Sequence, residues 1–330
     1  MSTTANPRGR QSKIRMAWES AYGTVPGATG WSEINAYAHE LTRARALEPD
    51  DILGAGFANS VDARPAAPSV EDATGKLTLP LDLQQIGFML AATLGRVSPA
   101  GTGPFTHAFT SGVTPIPSFA LERELVAGAQ YENGNGLAVK TLKLMFKPGK
   151  GYSTMDVDLM GSQISAPYAS TVAGTPTVIP LANRVANYVG LLSVGGVQVA
   201  QLIDATITIS NDLTADRYVG DSEYIAAMIL EGQDVALDIT ARYSTDALRQ
   251  FGVVDPAYLP PLKSLSLQWA PGGSPAYSLT VAAPNVRFEP VNAPVTNGKS
   301  ITQALKGRAE VSAGQAMLTA TLLSPQSTQY

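Results

Sequence analysis

The chain has 330 residues, of which 45% are hydrophobic and only 15% charged, with a net charge of -4. This supplies apolar material for two cores of ordinary size and leaves no basic footprint for tight nucleic-acid binding. Cysteine is absent, which excludes disulfides and thiolate metal sites, and a low-charge surface rich in Ala, Ser, Thr and Gly points to large areas covered by neighbouring copies.

In chain order, residues 1 to 14 read as a polar arm without apolar periodicity. The basic start, with Arg8, Arg10, Lys13 and Arg15, is followed by no apolar h-region, so no signal peptide is expected. No apolar run approaches the roughly 18 residues of a membrane span either, so the chain is expected to be soluble. Arg15 to Pro26 predicts a short strand and a turn, Trp31 to Leu53 a polar extended stretch, and Ser69 to Gly75 a loop. Leu77, Leu79, Leu81 and Leu83 then share one face of a half-buried strand. Asp82 is placed to cap a short helix whose Ile86, Leu90 and Leu94 share a face, and Gly95 is placed to close it. Two strands follow, Phe105 to Phe109 and Ser118 to Leu125, separated by the loop Ser111 to Pro117. A hairpin then joins Val139 to Phe146 and Ser153 to Met160 through Pro148-Gly149-Lys150-Gly151.

The same order returns downstream. Ser162 to Pro180 is rich in small residues and predicts a linker or surface loop, and Val194 to Val199 and Ala205 to Ser210 add two strands. Val235, Leu237, Ile239 and Ala241 repeat the first leucine strand, and Thr245 to Gly252 repeats the helix. Leu265 to Trp269 matches the Phe105 strand, Tyr277 to Phe288 matches the Ser118 strand, and the loop Ala270 to Pro275 separates the pair. The final hairpin, near Ile301 to Val311 and Ala316 to Leu322, is interrupted by Gly307. The expected architecture is mainly β, with two tandem sandwich or half-barrel units that each carry a short flanking helix. The divisions fall at residues 1–30 (arm and first strand), 31–161 (first unit), 162–189 (linker) and 190–330 (second unit).

Chemistry is poorly provided for. The two histidines, His39 and His107, are too few for most triads or zinc sites; His107, between Phe105 and Phe109, reads as a core residue and His39 as a water-facing one. Gly298-Lys299-Ser300 resembles the end of a phosphate loop, but Ala293 stands where the motif needs its first glycine. Asp156 and Asp158 share a strand face, as do Glu122 and Glu124, without companions for a metal or an acid–base pair. Together they predict one acidic surface, which would repel phosphates if it lined a nucleic-acid channel. No enzyme activity, cofactor or metal is expected.

Two functional classes are consistent with this pattern. One is a carbohydrate-binding or adhesin β-sandwich of a phage or cell surface, which needs exposed aromatic platforms; aromatics are only 7% of the chain. The other rests on a resemblance. The run Trp18-Glu19-Ser20-Ala21-Tyr22-Gly23-Thr24-Val25-Pro26 resembles the Glu-x-x-Tyr/Phe-Gly-Thr-x-Pro opening of the tail tube proteins of long-tailed, non-contractile bacteriophages. Leu77 to Gly95, Ser118 to Glu122, Lys140 to Met160, Thr208-Ile209-Ser210-Asn211 and Gly232 to Tyr243 extend the resemblance in order along the chain.

That resemblance implies rings whose strands join into one barrel, stacked into a hollow tube in the virion tail and assembled in the host bacterial cytoplasm. Its implied partners are further copies of the chain, the tape measure protein, the tail terminator and distal tail proteins, and DNA passing without specific binding or membrane insertion. Glu122, Glu124, Asp156 and Asp158 become candidate lumen-facing residues. Arg15, Trp18, Glu19, Tyr22, Ser111, Thr114, Gly272 and Gly273 become candidate contacts between rings. Two units per chain imply a pseudo-sixfold ring of three chains rather than six.

Overall fold

Alternation of apolar and polar residues produces strands through most of the chain, seen here in a computed structural model that describes residues 8–50, 62, 65–67, 69–199, 201–220, 223–243, 249–252, 259–271, 276–290 and 300–330. The first half contains β1 (Ile14–Trp18), β2 (Ser32–Ile34), β3 (Ala38–Ala44), the small pair β4 (Glu48–Pro49) and β5 (Ala66–Ala67), and β6 (Asp72–Pro80). Helix α1 (Ile86–Leu94) follows, then β7 (Phe105–Thr110), β8 (Phe119–Val126), β9 (Gln130–Phe146), β10 (Thr154–Gly161) and β11 (Gln163–Ile164). The remainder holds β12 (Thr177–Val178), β13 (Leu191–Val194), β14 (Val197–Gln198), β15 (Leu202–Asp216), β16 (Ala227–Arg242) and a 3-10 turn at Arg249–Gly252. It ends with β17 (Lys263–Trp269), β18 (Ser278–Phe288), β19 (Thr302–Ala309) and β20 (Thr319–Ser324). The fold is mainly β.

The duplication is written in the hydrogen-bonding ladders. In the first half β9 pairs with β8, β10 and β11; β8 continues to β1 and β2, and β10 continues to β6 and β3. In the second half β18 pairs with β17, β19 and β20; β17 continues to β13 and β14, and β19 continues to β16 and β15. Apart from β12, which pairs parallel with β2, these two graphs are the same, strand for strand in chain order. Aligned at the β9–β10 and β18–β19 ladders, the row Leu77–Val157–Leu142 corresponds to the row Leu237–Gly307–Phe288. The volumes compensate within the row. A Cβ on Gly307 would lie 2.9 Å from the Phe288 ring, so this mid-strand glycine makes room for a larger partner.

This correspondence shifts the sequence reading by one strand. Alternation matched the Phe105 strand to the Leu265 strand, but β17 is the equivalent of β8, and β7 is an addition that pairs with β20. Alternation reports which face is buried, and any two half-buried strands share it. The two halves are therefore sewn together twice, by β7 against β20 and by β9 against β15.

Helix α1 also departs from its amphipathic reading, since all nine of its residues are buried. One side packs on β9 and the other meets β7 and the C-terminal Tyr330, whose ring lies where a Cβ on Gly87 would stand. Asp82 Oδ1 accepts the amides of Gln84 and Gln85, ordering the turn before the helix, and Gly95 ends it at a φ of 99°. The second half has the 3-10 turn in the matching place, and residues 244–248 of the expected helix lie outside the described residues. Ser69 to Gly75 is only partly a loop, because β6 begins at Asp72.

His107 sits in the core beside Tyr330, its Nε2–H donating to the Gln326 carbonyl at 3.0 Å. Burial pushes its imidazole below the ordinary value of 6.5, and the Gln326 bond offsets part of that. A depressed histidine stabilises the fold fully above the unfolded value and loses that contribution as pH falls through the folded value. Urea midpoints are expected to fall as pH drops below about 6.5, and to fall less in H107Q. An equal drop in both proteins would contradict this assignment.

Candidate assembly surface

Four surfaces bear on what the molecule does. The first is the N-terminal motif, which turns inward. Glu19 accepts from the Gly23 amide at 2.9 Å, the Gly136 amide at 2.7 Å and the Ser118 hydroxyl at 2.6 Å. Tyr22 lies against Gly136, whose φ of 63° and lack of Cβ allow the close approach. Trp18 stacks edge-on against Phe119, with the Arg96 guanidinium over its ring. The motif is an internal clamp that ties the chain start to β8 and β9.

Beside it lies a buried ionic network. Arg15, 7% exposed, donates to Glu122 and to Glu124, each at 2.7 Å. Glu122, fully buried, also accepts from the Tyr168 hydroxyl, the Thr171 hydroxyl and the Val172 amide. Burial, and next the Glu122 carboxylate, push the Tyr168 hydroxyl well up, which keeps it a donor. The lumen-facing assignment of Glu122 and Glu124 is thus corrected, as is the ring-contact assignment of Arg15. Phe119 and Leu121 point into the main core, while the opposite face of β1 and β8 is covered by Val172 and Ala173. The segment read as a linker is a lid over a second small core, so both faces of β8 are buried.

The third surface is the outer face of the broad sheet β3–β6–β10–β9–β15–β16–β19. Its inward residues, such as Leu79, Val157, Leu144, Ile207 and Ile239, are core, and its outward ones are threonines and charges. Asp156 stands between Thr78, which donates to it at 3.0 Å, and Lys143. Asp158 stands between Lys76 and Thr141. Further along, Asp238 is opposite Lys306, and Asp234 is paired with Arg308. The acidic surface expected from sequence is therefore a mixed one, in which Asp156, Asp158, Asp234 and Asp238 each have a cation or hydroxyl beside them.

The fourth is the outer face of β13–β17–β18–β20–β7, which carries no charge along two complete cross-strand rows. One row is Ser193, Ser266, Ala282, Thr319 and Thr110; the other is Leu191, Gln268, Thr280, Thr321 and Ala108. Beside the first row, at the start of β17 and around Pro284, lies a shallow, largely apolar depression of about 440 Å³. Low overall charge is thus concentrated on one flat sheet.

The remaining predicted contact residues are dispersed. Ser111 exchanges hydrogen bonds with Leu318 and is half-buried, Thr114 is exposed on its loop, and Gly272 and Gly273 lie outside the described residues. Residues 298 and 299 of the phosphate-loop-like run also lie outside them. His39 is half-buried instead of water-facing, with its Nε2 3.0 Å from the Ser12 hydroxyl. It borders an open groove of about 680 Å³ that follows Tyr37, Ala38 and His39, with Ser12, Lys13, Ile14, Arg123 and Leu125 opposite. No sequence signal marked that groove, because it is made by a strand edge.

Among the described residues no helix is long and apolar enough to cross a membrane. None of the curated proteins compared matches the chain. A family model described as phage tail tube protein matches residues 9–313, which runs from before β1 to beyond β19. The chain belongs to the phage tail tube protein family, and so is a structural protein of the virion tail.

Proposed function

We propose that this chain closes into rings which stack into the hollow tube of a non-contractile phage tail, and that DNA leaves the capsid through the lumen. The observation that carries the reading is the junction inside the chain: β9 of one unit and β15 of the next are laddered from Ala205–Phe146 to Ser210–Thr141, so two equivalent units already form one continuous sheet. Repeating that junction closes a barrel, and three chains supply six units.

In this reading the outer face of the broad sheet lines the lumen. Its threonines and alternating charges, Asp156 and Asp158 among them, offer no basic stripe on which phosphates would be retained. The uncharged face of β13–β17–β18–β20–β7 turns away from the lumen. Thr114 and the loop holding Ser111 project toward the adjacent ring, with Trp18, Glu19 and Tyr22 bracing that end from within. The tape measure protein fills the lumen before ejection, the terminator and distal tail proteins cap the stack, and assembly takes place in the host bacterial cytoplasm. Electron microscopy of the concentrated purified protein is expected to show hollow tubes or rings. A chain that stays monomeric at every concentration and binds glycans would overturn the reading.

A further inference from the structure

The internal junction specifies the external one. By register, His39 occupies in the first unit the place of Ile207 in the second, and Leu41 the place of Ile209. In the chain, Ile209 and Ile207 of β15 face Leu142 and Leu144 of β9. The second unit's counterpart of Leu142 is Phe288, and that of Lys143 is Glu289. Each unit thus has a donor edge, late in β9 or β18, and an acceptor edge, β3 or β15. One donor and one acceptor meet within the chain. The other two, the edge of the end of β18 away from β19 and the edge of β3 away from β6, pair with no strand among the described residues, and on the latter Arg123 donates to the Leu41 carbonyl.

Both ends are prepared for a partner. β17 stops pairing with β18 at Lys263–Val286, where Pro260 and Pro261 precede it and bring no N–H for a ladder, so among the described residues no strand continues beside Phe288, and the 3-10 turn packs Phe251 and Gly252 against Phe288 and Glu289. The Glu289 amide donates to Lys306, which turns the ladder groups of Glu289 toward β19 and those of Phe288 toward the open side. At the other end the 680 Å³ groove runs along Tyr37 to His39, with Tyr37 57% exposed and His39 Nδ1 buried without a partner. The equivalent seat in the second unit is filled. There the end of β9 lies beside β13, with Phe146 5% exposed and stacked on Trp269 at 4.2 Å.

We infer that, in the ring proposed above, the edge of β18 at Arg287–Glu289 pairs antiparallel with β3 at Glu40–Thr42 of the next copy, opposite Phe288 to Leu41, beside the groove at Tyr37–His39. The contact is head-to-tail, so it repeats around a ring and does not close as a dimer. Glu289 then faces Glu40, each flanked across its own ladder by a lysine, Lys306 and Lys76. Pro290 brings no N–H, so Phe288 carries the ladder bonds from this strand.

The chain contains no cysteine, so a disulfide reports the contact without background. Glu289 and Glu40 would form a non-hydrogen-bonded pair, where Cα atoms stand about 4.5 Å apart and a disulfide fits. Tubes of the double variant E40C/E289C, oxidised and run under denaturing, non-reducing conditions, are expected to lose the monomer band into a ladder ending at one ring. Because a double variant can misfold, E40C and E289C are also prepared singly. Their mixture is expected to give a covalent dimer of one of each, which neither gives alone. Wild-type tubes with no cross-link in either format would overturn the edge pairing and leave the tube reading standing. Wild-type protein that forms neither rings nor tubes would remove the tube reading, and this inference with it.

Discussion

Replacing Arg15 with methionine is expected to cost about 3–5 kcal/mol of folding stability, because it strips the counter-charge from two carboxylates that stay buried. Glu122 would retain its bonds from Tyr168, Thr171 and Val172, while Glu124 would keep only the Gly128 amide. The loss therefore comes from desolvated charge and not from packing. A triple variant, R15M/E122Q/E124Q, separates the two: it is expected to recover most of the loss, since neutral amides need no cation. Urea unfolding of the single and triple variants is the measurement. A single-variant loss below about 1 kcal/mol would place these charges in contact with water. The network also fastens the segment around Val172 and Ala173, so limited proteolysis in the single variant is expected to begin there.

Phe146→Ala is expected to cost about 3–5 kcal/mol, the range for emptying the site of a large buried aromatic. Its ring lies parallel to Trp269, with an interplanar angle of 8°, and a Cβ added to Gly190 would come within 1.8 Å of it. Phe146 joins β9 of the first unit to the core of the second, so its loss loosens the joint between units as well as a local core. A double-mutant cycle with Trp269 is expected to return about 0.5–1.5 kcal/mol of coupling beyond the lost area. Additive losses at the two sites would mean that the rings merely lie near one another. The same variant is expected to impair ring formation, because a misplaced second unit no longer presents β18 at the right height.

Much of the fold was legible in single strands. The alternation of Leu77 with Leu79, and of Leu237 with Ile239, correctly marks buried faces. Pairing was not legible, because strands such as Phe105–Thr110 and Lys263–Trp269 carry the same period whatever they hydrogen-bond to. Gly307 misled for a related reason. A glycine in a strand reads as an interruption, while its cause is the Phe288 ring that lies across it, distant in sequence.

The candidate surfaces were harder still. Glu122 and Glu124 look solvated because charges two apart on a strand usually are. Their burial depends on Arg15 and on a small-residue segment that sequence marks only as a linker. Glu19 and Tyr22 were expected as contacts between rings; within the chain Glu19 binds backbone amides and Tyr22 packs against Gly136. The edges of β3 and β18 that pair with no strand among the described residues leave no compositional trace. They become visible when the two pairing graphs are laid over each other and the junction present in one place is found open in another.

That overlay makes a definite statement about stoichiometry. If the β9–β15 junction is the repeating contact, a closed ring contains equal numbers of internal and external junctions, and each chain accounts for one of each. Cryo-electron microscopy of assembled tubes, averaged to resolve single rings, tests this most directly. The expected ring has three chains and six equivalent units, with internal and external junctions alternating around the lumen. A ring of six chains, or one in which β3 and β18 stay apart, would contradict it.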